Sequence, residues 1–429
     1  MLRSIRFLFL RTSSLDISAA ARFVHTMSPK IVISSCFDAG NIEVDSISAE
    51  EGCKLKLRPE PFTHGTDNKQ HAQWFYFKAA NIPKVSTKFS IGGLLSSSYP
   101  EAWPGYLMNA SYDRENWFRI DNTTYDEATG ILNWKLEDAK HSQIYFAYFA
   151  PYSYERHLDL IAKCIASDLT TVEVLGSTLD GRDMELVTAG TGPLKIWLNA
   201  RQHPGESMAE WMAEGFLNRL LDPNDACAAK LLRVATVYCV PNMNPDGSFR
   251  GHLRTNACGA NLNREWATTT TKALDGGEDV IYEAPTLERS PEVYHVLNKL
   301  KEVGCDCYVD THGDEEIPAV FYAGTQGIPN WTPRLEKLFA SFSAATAEAN
   351  PDFQRVKGYG DDEPGQANLA ICGDQIAQRF DCLAVTLEMP YKDSTFDTPM
   401  PICGWTPQRS QKLGATLIDA FLKVAPELR

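Results

Sequence analysis

No apolar run in the 429 residues approaches the roughly 18 that a membrane helix needs. Positive charge is in short supply: 41 Lys and Arg stand against 55 Asp and Glu, a formal net charge of −14. That balance argues against general binding to nucleic acid or to an anionic membrane, and leaves room only for a local basic pocket. The 11 cysteines show no zinc-ladder spacing, and their count is odd. They read as buried, reduced thiols, with Cys305 and Cys307 packed inside a strand. No Ser or Cys lies in a recognisable nucleophile motif, and neither an internal repeat nor a low-complexity segment occurs. Acid is nearly missing from the first 26 residues, which hold Arg3, Arg6, Arg11 and Arg22 but only Asp16. Arg-rich, Ser-containing and acid-poor is the composition of a transit peptide, and the apolar stretch at 7–10 is short for a secretory signal. Residues 1–29 are therefore expected to be a mitochondrial transit peptide or disordered leader, with a cytoplasmic form if translation starts at Met27.

The rest has the composition of a soluble globular protein, 44% apolar and 22% charged, and is long enough for two to three domains. From 30 to 155, short β-like segments alternate with turns, at 31–34, 53–57, 73–78, 88–92, 117–120, 131–136 and 143–148. Their β-branched and aromatic content predicts an all-β sandwich domain. The run Trp74-Phe-Tyr-Phe77 is expected in its core. After residue 150 the pattern changes to a linker, a helix at 158–167 and two strands around the hairpin signal Asp180-Gly181. Strand–helix–strand alternation then predicts an α/β domain over 156–429, a mixed, mostly parallel sheet flanked by helices. A last helix at 406–422 is expected to pack on that sheet.

The chemistry concentrates at strand ends. His203 and Glu206, in His203-Pro-Gly-Glu206, fall between a strand at 194–200 and an amphipathic helix at 207–221. Ligands bind at that point in open α/β sheets, outside the carboxyl ends of the strands. A His-x-x-Glu alone is a weak signal. Two further apolar runs strengthen it: one carries Asp310 and His312, the other Glu388 among apolar neighbours, where a carboxylate is costly unless it is paired or functional. His203, Glu206 and His312 fit a three-ligand zinc site with an open fourth position. Asp310 is either a partner of His312 or a core-facing polar residue. Arg254, Asn261, Asn263 and Arg264 follow a polar turn, and Arg beside Asn suits bidentate recognition of a carboxylate.

With His203-Pro-Gly-Glu206, Asn244-Pro-Asp-Gly247, Arg254, Asn261-Leu-Asn-Arg264, Asp310-Thr-His-Gly-Asp-Glu315 and Thr386-Leu-Glu-Met-Pro390 in this order, the sequence resembles the M14 zinc carboxypeptidases, and most closely their cytosolic carboxypeptidase subfamily. The resemblance covers about residues 30–429. It implies a metallocarboxypeptidase with one zinc ion held by His203, Glu206 and His312, acting on peptide or protein C-terminal tails. It further implies that Glu388 is the general base, that Arg254 stabilises the oxyanion, and that Asn263 and Arg264 hold the terminal carboxylate. Tyr359 is the candidate for the family's mobile tyrosine. The specificity pocket is expected to draw on 366–379, where Arg379 would favour an acidic terminal residue and Asp374 a basic one. Removal of glutamates from protein tails is the subfamily's activity, and the acidic runs at 314–316 and 361–363 stand against it. Two alternatives remain at this point: a zinc amidohydrolase on N-acyl or γ-linked amino acids, and a non-catalytic binding protein using the β region.

Overall fold

The computed structural model describes residues 30–62, 70–271, 279–392 and 404–428, so the expected leader at 1–29 lies outside the described residues. Among the described residues no helix is long and apolar enough to cross a membrane, and no cysteine is in a disulfide.

The first part of the chain holds ten strands: β1 (Val32–Ser34), β2 (Glu43–Ser48), β3 (Gly52–Lys56), β4 (Tyr76–Ala80), β5 (Thr87–Gly92), β6 (Met108–Ser111), β7 (Trp117–Ile120), β8 (Thr124–Asp126), β9 (Ile131–Leu136) and β10 (Gln143–Ala147). They form two five-stranded sheets, ordered β1-β4-β10-β6-β7 and β2-β3-β5-β9-β8. In β9 the period of two is plain: Leu132, Trp134 and Leu136 are buried, while Asn133 and Lys135 are exposed. Phe89 of β5 and Trp134 of β9 meet Phe146 of β10 at 5.0 and 5.4 Å, which joins the sheets into a sandwich. The aromatic run 74–77 is in this core, each ring at most 2% exposed. Strands β2, β6 and β8 have no counterpart among the sequence expectations. In β2, Glu-Val-Asp-Ser-Ile-Ser is exposed throughout and sits at a sheet edge, so it needs no apolar face to stay paired.

Helix α1 (Tyr154–Ile165) opens the second part, its first turn capped by Ser153 Oγ, which accepts from Arg156 N. A seven-stranded sheet follows, made of β11 (Thr170–Ser177), β12 (Asp183–Ala189), β13 (Leu194–Ala200), β14 (Ala235–Val240), β17 (Cys307–Asp314), β18 (Phe321–Ala323) and β19 (Leu383–Pro390), while β15 (Thr269–Thr271) and β16 (Val280–Tyr282) pair as a separate hairpin. The sheet order is β11-β12-β14-β13-β17-β19-β18. Its four central strands are parallel. Only β12 and β18 run against the rest, because the edge pairings are antiparallel. Strands β14 and β17 are buried along their whole length, as parallel strands covered on both faces must be.

The helices are α2 (Ser207–Leu220), α3 (Ala226–Val234), α4 (Pro245–Arg250), α5 (Pro291–Val303), α6 (Pro333–Ala349), α7 (Cys372–Phe380) and α8 (Pro407–Val424). The last helix departs from expectation. Its main neighbours are α2, α6 and α3 rather than the strands. Glycine makes this possible: a Cβ at Gly414 would lie 2.0 Å from Met212 O, and one at Gly215 would lie 2.1 Å from Gln411 O. The two helices touch backbone to backbone there, which places α8 in a layer outside α2. The sandwich and the α/β part share one hydrophobic core, and from Ile31 onward the chain is one compact unit. Tyr148 stacks on Tyr391 at 4.5 Å, and Arg119 Nη2 donates to Tyr391 O at 2.6 Å.

Candidate active site

The parallel strands end on one side, and their ends bring together residues far apart in sequence. At the end of β13 the backbone turns through Arg201, whose φ of 64° is left-handed. The turn is held by the Arg201 guanidinium, which donates to Pro204 O, Tyr152 O and Glu210 Oε2 at 2.8, 2.9 and 2.6 Å. It delivers His203 to the cleft and Glu206 to the N-cap position of α2, where the helix dipole favours a negative charge. His312 lies near the end of β17, and its register partner on β19 is Glu388. Beside them Gly313 leaves room for the α2 side chains: a Cβ there would lie 2.4 Å from Met208 Sδ and 3.3 Å from Glu206 Cγ.

His203, Glu206 and His312 are buried, and one ligand atom from each lies within 4.8 Å of the others. Both rings turn Nδ1 inward. His203 Nδ1 is 2.7 Å from Glu206 Oε1, His312 Nδ1 is 2.9 Å from Glu206 Oε2, and the two Nδ1 atoms are 3.1 Å apart. The outer nitrogens are each engaged by an oxygen. His203 Nε2 donates to Asn261 Oδ1 at 3.1 Å, and His312 Nε2 donates to Asp310 Oδ2 at 2.8 Å. A proton on each Nε2 leaves each Nδ1 with a lone pair, so the centre presents two lone pairs and a carboxylate to one point. Two inward Nδ1 atoms and a carboxylate that converge on one point make a His₂Glu donor set, and His₂Glu is a zinc set. The residues therefore fit the metal. Asp310 is the partner of His312, the first of its two expected readings. Asn261 does the same for His203, a role its position in Asn261-Leu-Asn-Arg264 did not reveal.

Around the donors the charges respond to burial. Burial and the Arg254 guanidinium push His203 down to about 3. Burial opposes charge on His312, yet Asp310 and Glu206 on either side lift it well above its ordinary value. Burial would raise Glu206, but the two histidines hold it well below the usual carboxylate range. Glu388 is pushed up to about 8 by burial, with Glu206 and Asp314 adding to the push and His312 opposing it. Its Oε2 is buried without a hydrogen-bond partner among the described residues.

His203, Glu206, His312, Glu388, Arg254, Asn263, Arg264 and Tyr359 all line one cleft of about 710 Å³. Arg254 Nη1 donates to His203 Nδ1 at 3.1 Å. Asn263 Oδ1 accepts from Cys372 N at 2.8 Å, and Arg264 Nη1 donates to Asn263 O at 2.8 Å. The hydroxyl of Tyr359, a half-exposed side chain, donates to Asp314 Oδ2 at 2.6 Å. Of the two candidates for the specificity pocket, Asp374 is in this cleft and 7% exposed, together with Gly373, Thr386 and Asp362. Burial and Asp362 push Asp374 up to about 7, with Arg264 opposing. Arg379 lies elsewhere, in a groove with Tyr294 and Lys301. Tyr99, from the sandwich, also lines the cleft, and no sequence pattern pointed to it.

Comparison with known proteins gives the same picture. A family model described as the cytosolic carboxypeptidase N-terminal domain matches residues 33–149, and one described as zinc carboxypeptidase matches 155–400. A solved metallo-carboxypeptidase from Pseudomonas aeruginosa, in complex with (2-guanidinoethylmercapto)succinic acid, is 42% identical with a TM-score of 0.83, covering 93% of this chain and 100% of that one. A metallo-carboxypeptidase from Burkholderia cenocepacia is 38% identical with a TM-score of 0.83, covering 92% and 99%. Cytosolic carboxypeptidase 3 of Mus musculus is 28% identical over 69% of this chain, which spans 30% of that relative's length. The chain belongs to the M14 zinc carboxypeptidases, as a metallopeptidase that carries the amino-terminal domain of the cytosolic carboxypeptidases.

Proposed function

We propose that this metallocarboxypeptidase removes basic residues, Lys or Arg, from the C-termini of peptides or proteins, with one zinc ion held by His203, Glu206 and His312. The observation that carries the terminal-residue reading is Asp374, a buried carboxylate in the cleft with Asp362 beside it. A cationic side chain would neutralise a pair that otherwise repels. Gly373 favours a long side chain: a Cβ there would have its nearest neighbours at 3.4 and 3.6 Å, so its absence adds depth. The guanidine-bearing succinate bound by the Pseudomonas aeruginosa relative supports the same substrate class. Glutamate removal would bring an acidic chain end toward Asp314, Glu315, Glu316, Asp362 and Asp374, and we set it second.

When bound, zinc lowers the pKa of a water toward roughly 7 and polarises the scissile carbonyl. Glu388 accepts the proton of the attacking water and returns it to the leaving amine. Arg254 faces the negative charge that grows on the carbonyl oxygen. Arg264 and Asn263 hold the terminal carboxylate, which confines cleavage to chain ends. Tyr359, over the cleft beside Asp314, closes on the bound residue. In this reading residues 30–155 and 156–429 are two domains working as one enzyme, and the Arg-rich leader directs import into mitochondria. A release profile tests the substrate class: peptides differing only in a terminal Arg, Leu or Glu should lose Arg fastest. Faster loss of Glu would overturn it.

A further inference from the structure

The loop that carries Arg254 is held by a residue of the β-sandwich. Glu60 follows β3 in a loop and is 2% exposed. Its Oε1 accepts from Leu253 N and Arg254 N at 2.8 and 2.9 Å, and its Oε2 accepts from Thr255 N at 3.0 Å and from Thr255 Oγ1. One carboxylate thus takes three consecutive backbone donors and a hydroxyl. The same loop is fixed on its other side, where Gly205 N donates to Leu253 O at 2.9 Å, tying it to the turn between His203 and Glu206. The sandwich adds Asn41 Nδ2, which donates to Gly251 O at 2.8 Å, and the Tyr99 ring, 5.8 Å from the Arg254 guanidinium. Arg254 is therefore set against the metal-ligand turn by groups from both parts of the chain.

We propose that Glu60 is a positioning residue for the carboxypeptidase reaction: it fixes the backbone of 253–255 so that Arg254 meets the developing oxyanion. The sandwich on this view completes the active site. The physical reason is preorganisation. A carboxylate that collects consecutive N–H groups determines the loop's conformation, and a guanidinium on a settled loop meets transition-state charge without reorganising. A neutral amide in place of Glu60 would turn an NH₂ toward one of these donors, and the loop would shift to separate them.

This inference rests on the oxyanion role given to Arg254, so the two are tested together. The full chain and its Glu60→Gln, Arg254→Ala and double variants are assayed for kcat and KM on one peptide, with zinc measured in each. Glu60→Gln should lower kcat by about 10- to 100-fold while zinc content and KM stay near wild type. Arg254→Ala should cost about 100- to 1,000-fold, and Glu60→Gln should cost nothing further in its presence. A peptide phosphonate that mimics the tetrahedral state should weaken in parallel with kcat. Should Glu60→Gln fail to fold, Thr255→Val removes only the hydroxyl donor and should show the same kcat-only pattern in smaller degree. Additive losses in the double variant, or a change confined to KM, would overturn the positioning role and leave Glu60 as a staple between the two parts. An Arg254→Ala enzyme with wild-type kcat would instead overturn the reading of Arg254.

Discussion

Replacing Asp374 by Asn should convert the enzyme's preference rather than abolish its chemistry. Asp374 is 7% exposed and shares the cleft with Asp362. At about 4 Å and an effective dielectric of 20, a terminal guanidinium or ammonium would gain roughly 4 kcal/mol from one carboxylate. Desolvation of both partners takes back part of this, leaving about 2–3 kcal/mol, or roughly 30- to 160-fold in kcat/KM. Asp374→Asn should therefore lower kcat/KM for a peptide ending in Arg by about that factor, while release of a terminal Leu holds or rises. The pH profile gives an independent check. Burial and Asp362 push Asp374 up to about 7, so in the free enzyme the carboxylate that receives a cation is formed as pH rises through that value. Every substrate shares the ascent set by Glu388 and the attacking water, so the check is the Arg/Leu ratio of kcat/KM, which should rise with pH through about 7 in wild type and stay flat in the variant. The assay is release of the terminal amino acid from matched peptides between pH 5.5 and 8.5. An Arg/Leu ratio that the substitution leaves unchanged would refute the reasoning.

Other consequences follow from the same geometry. Asn261→Ala removes the acceptor that holds His203 Nε2–H, so zinc affinity should fall by about 10- to 100-fold, read by competition with a chromophoric chelator. Glu292 is fully buried at the start of α5, and burial pushes it up to about 8, with Asn256 opposing. A raised carboxyl contributes stability that is full below the unfolded value near 4.5 and is lost as pH rises through about 8. The unfolding free energy should thus decline across that window by up to about 1.4 kcal/mol per pH unit, and Glu292→Gln should flatten the decline in urea titrations. Gly414→Ala drives a Cβ to 2.0 Å from Met212 O and should cost about 1–3 kcal/mol of stability with little effect on KM.

Much of the site was readable before any coordinates, because the chemistry sits where apolar strands stop. His312 and Glu388 stand out as polar residues in runs that are otherwise buried, and the fold makes them register partners. What stayed hidden depends on direction and distance. Asp374 and Arg379 lie five positions apart on α7, about 140° around a helix, so one faces the cleft and the other a different groove. Pattern alone cannot tell which face looks inward. Glu60 is a polar loop residue separated from Arg254 by 194 positions, and only the packing of sandwich on sheet brings them together. The outer placement of α8 turns on two glycines whose meaning appears only when the helices touch. Strand β2 escaped notice because an exposed edge carries no apolar alternation.

The central claim is that Glu388 does proton transfer beside a metal held by His203, Glu206 and His312. The most direct measurement is release of the C-terminal residue by wild type and Glu388→Gln at matched zinc content. Both proteins should hold one zinc per chain, and the variant should lose at least about 100-fold in kcat, the lower end of what a positioned acid–base group contributes. Undiminished release by a zinc-loaded Glu388→Gln enzyme would contradict the account.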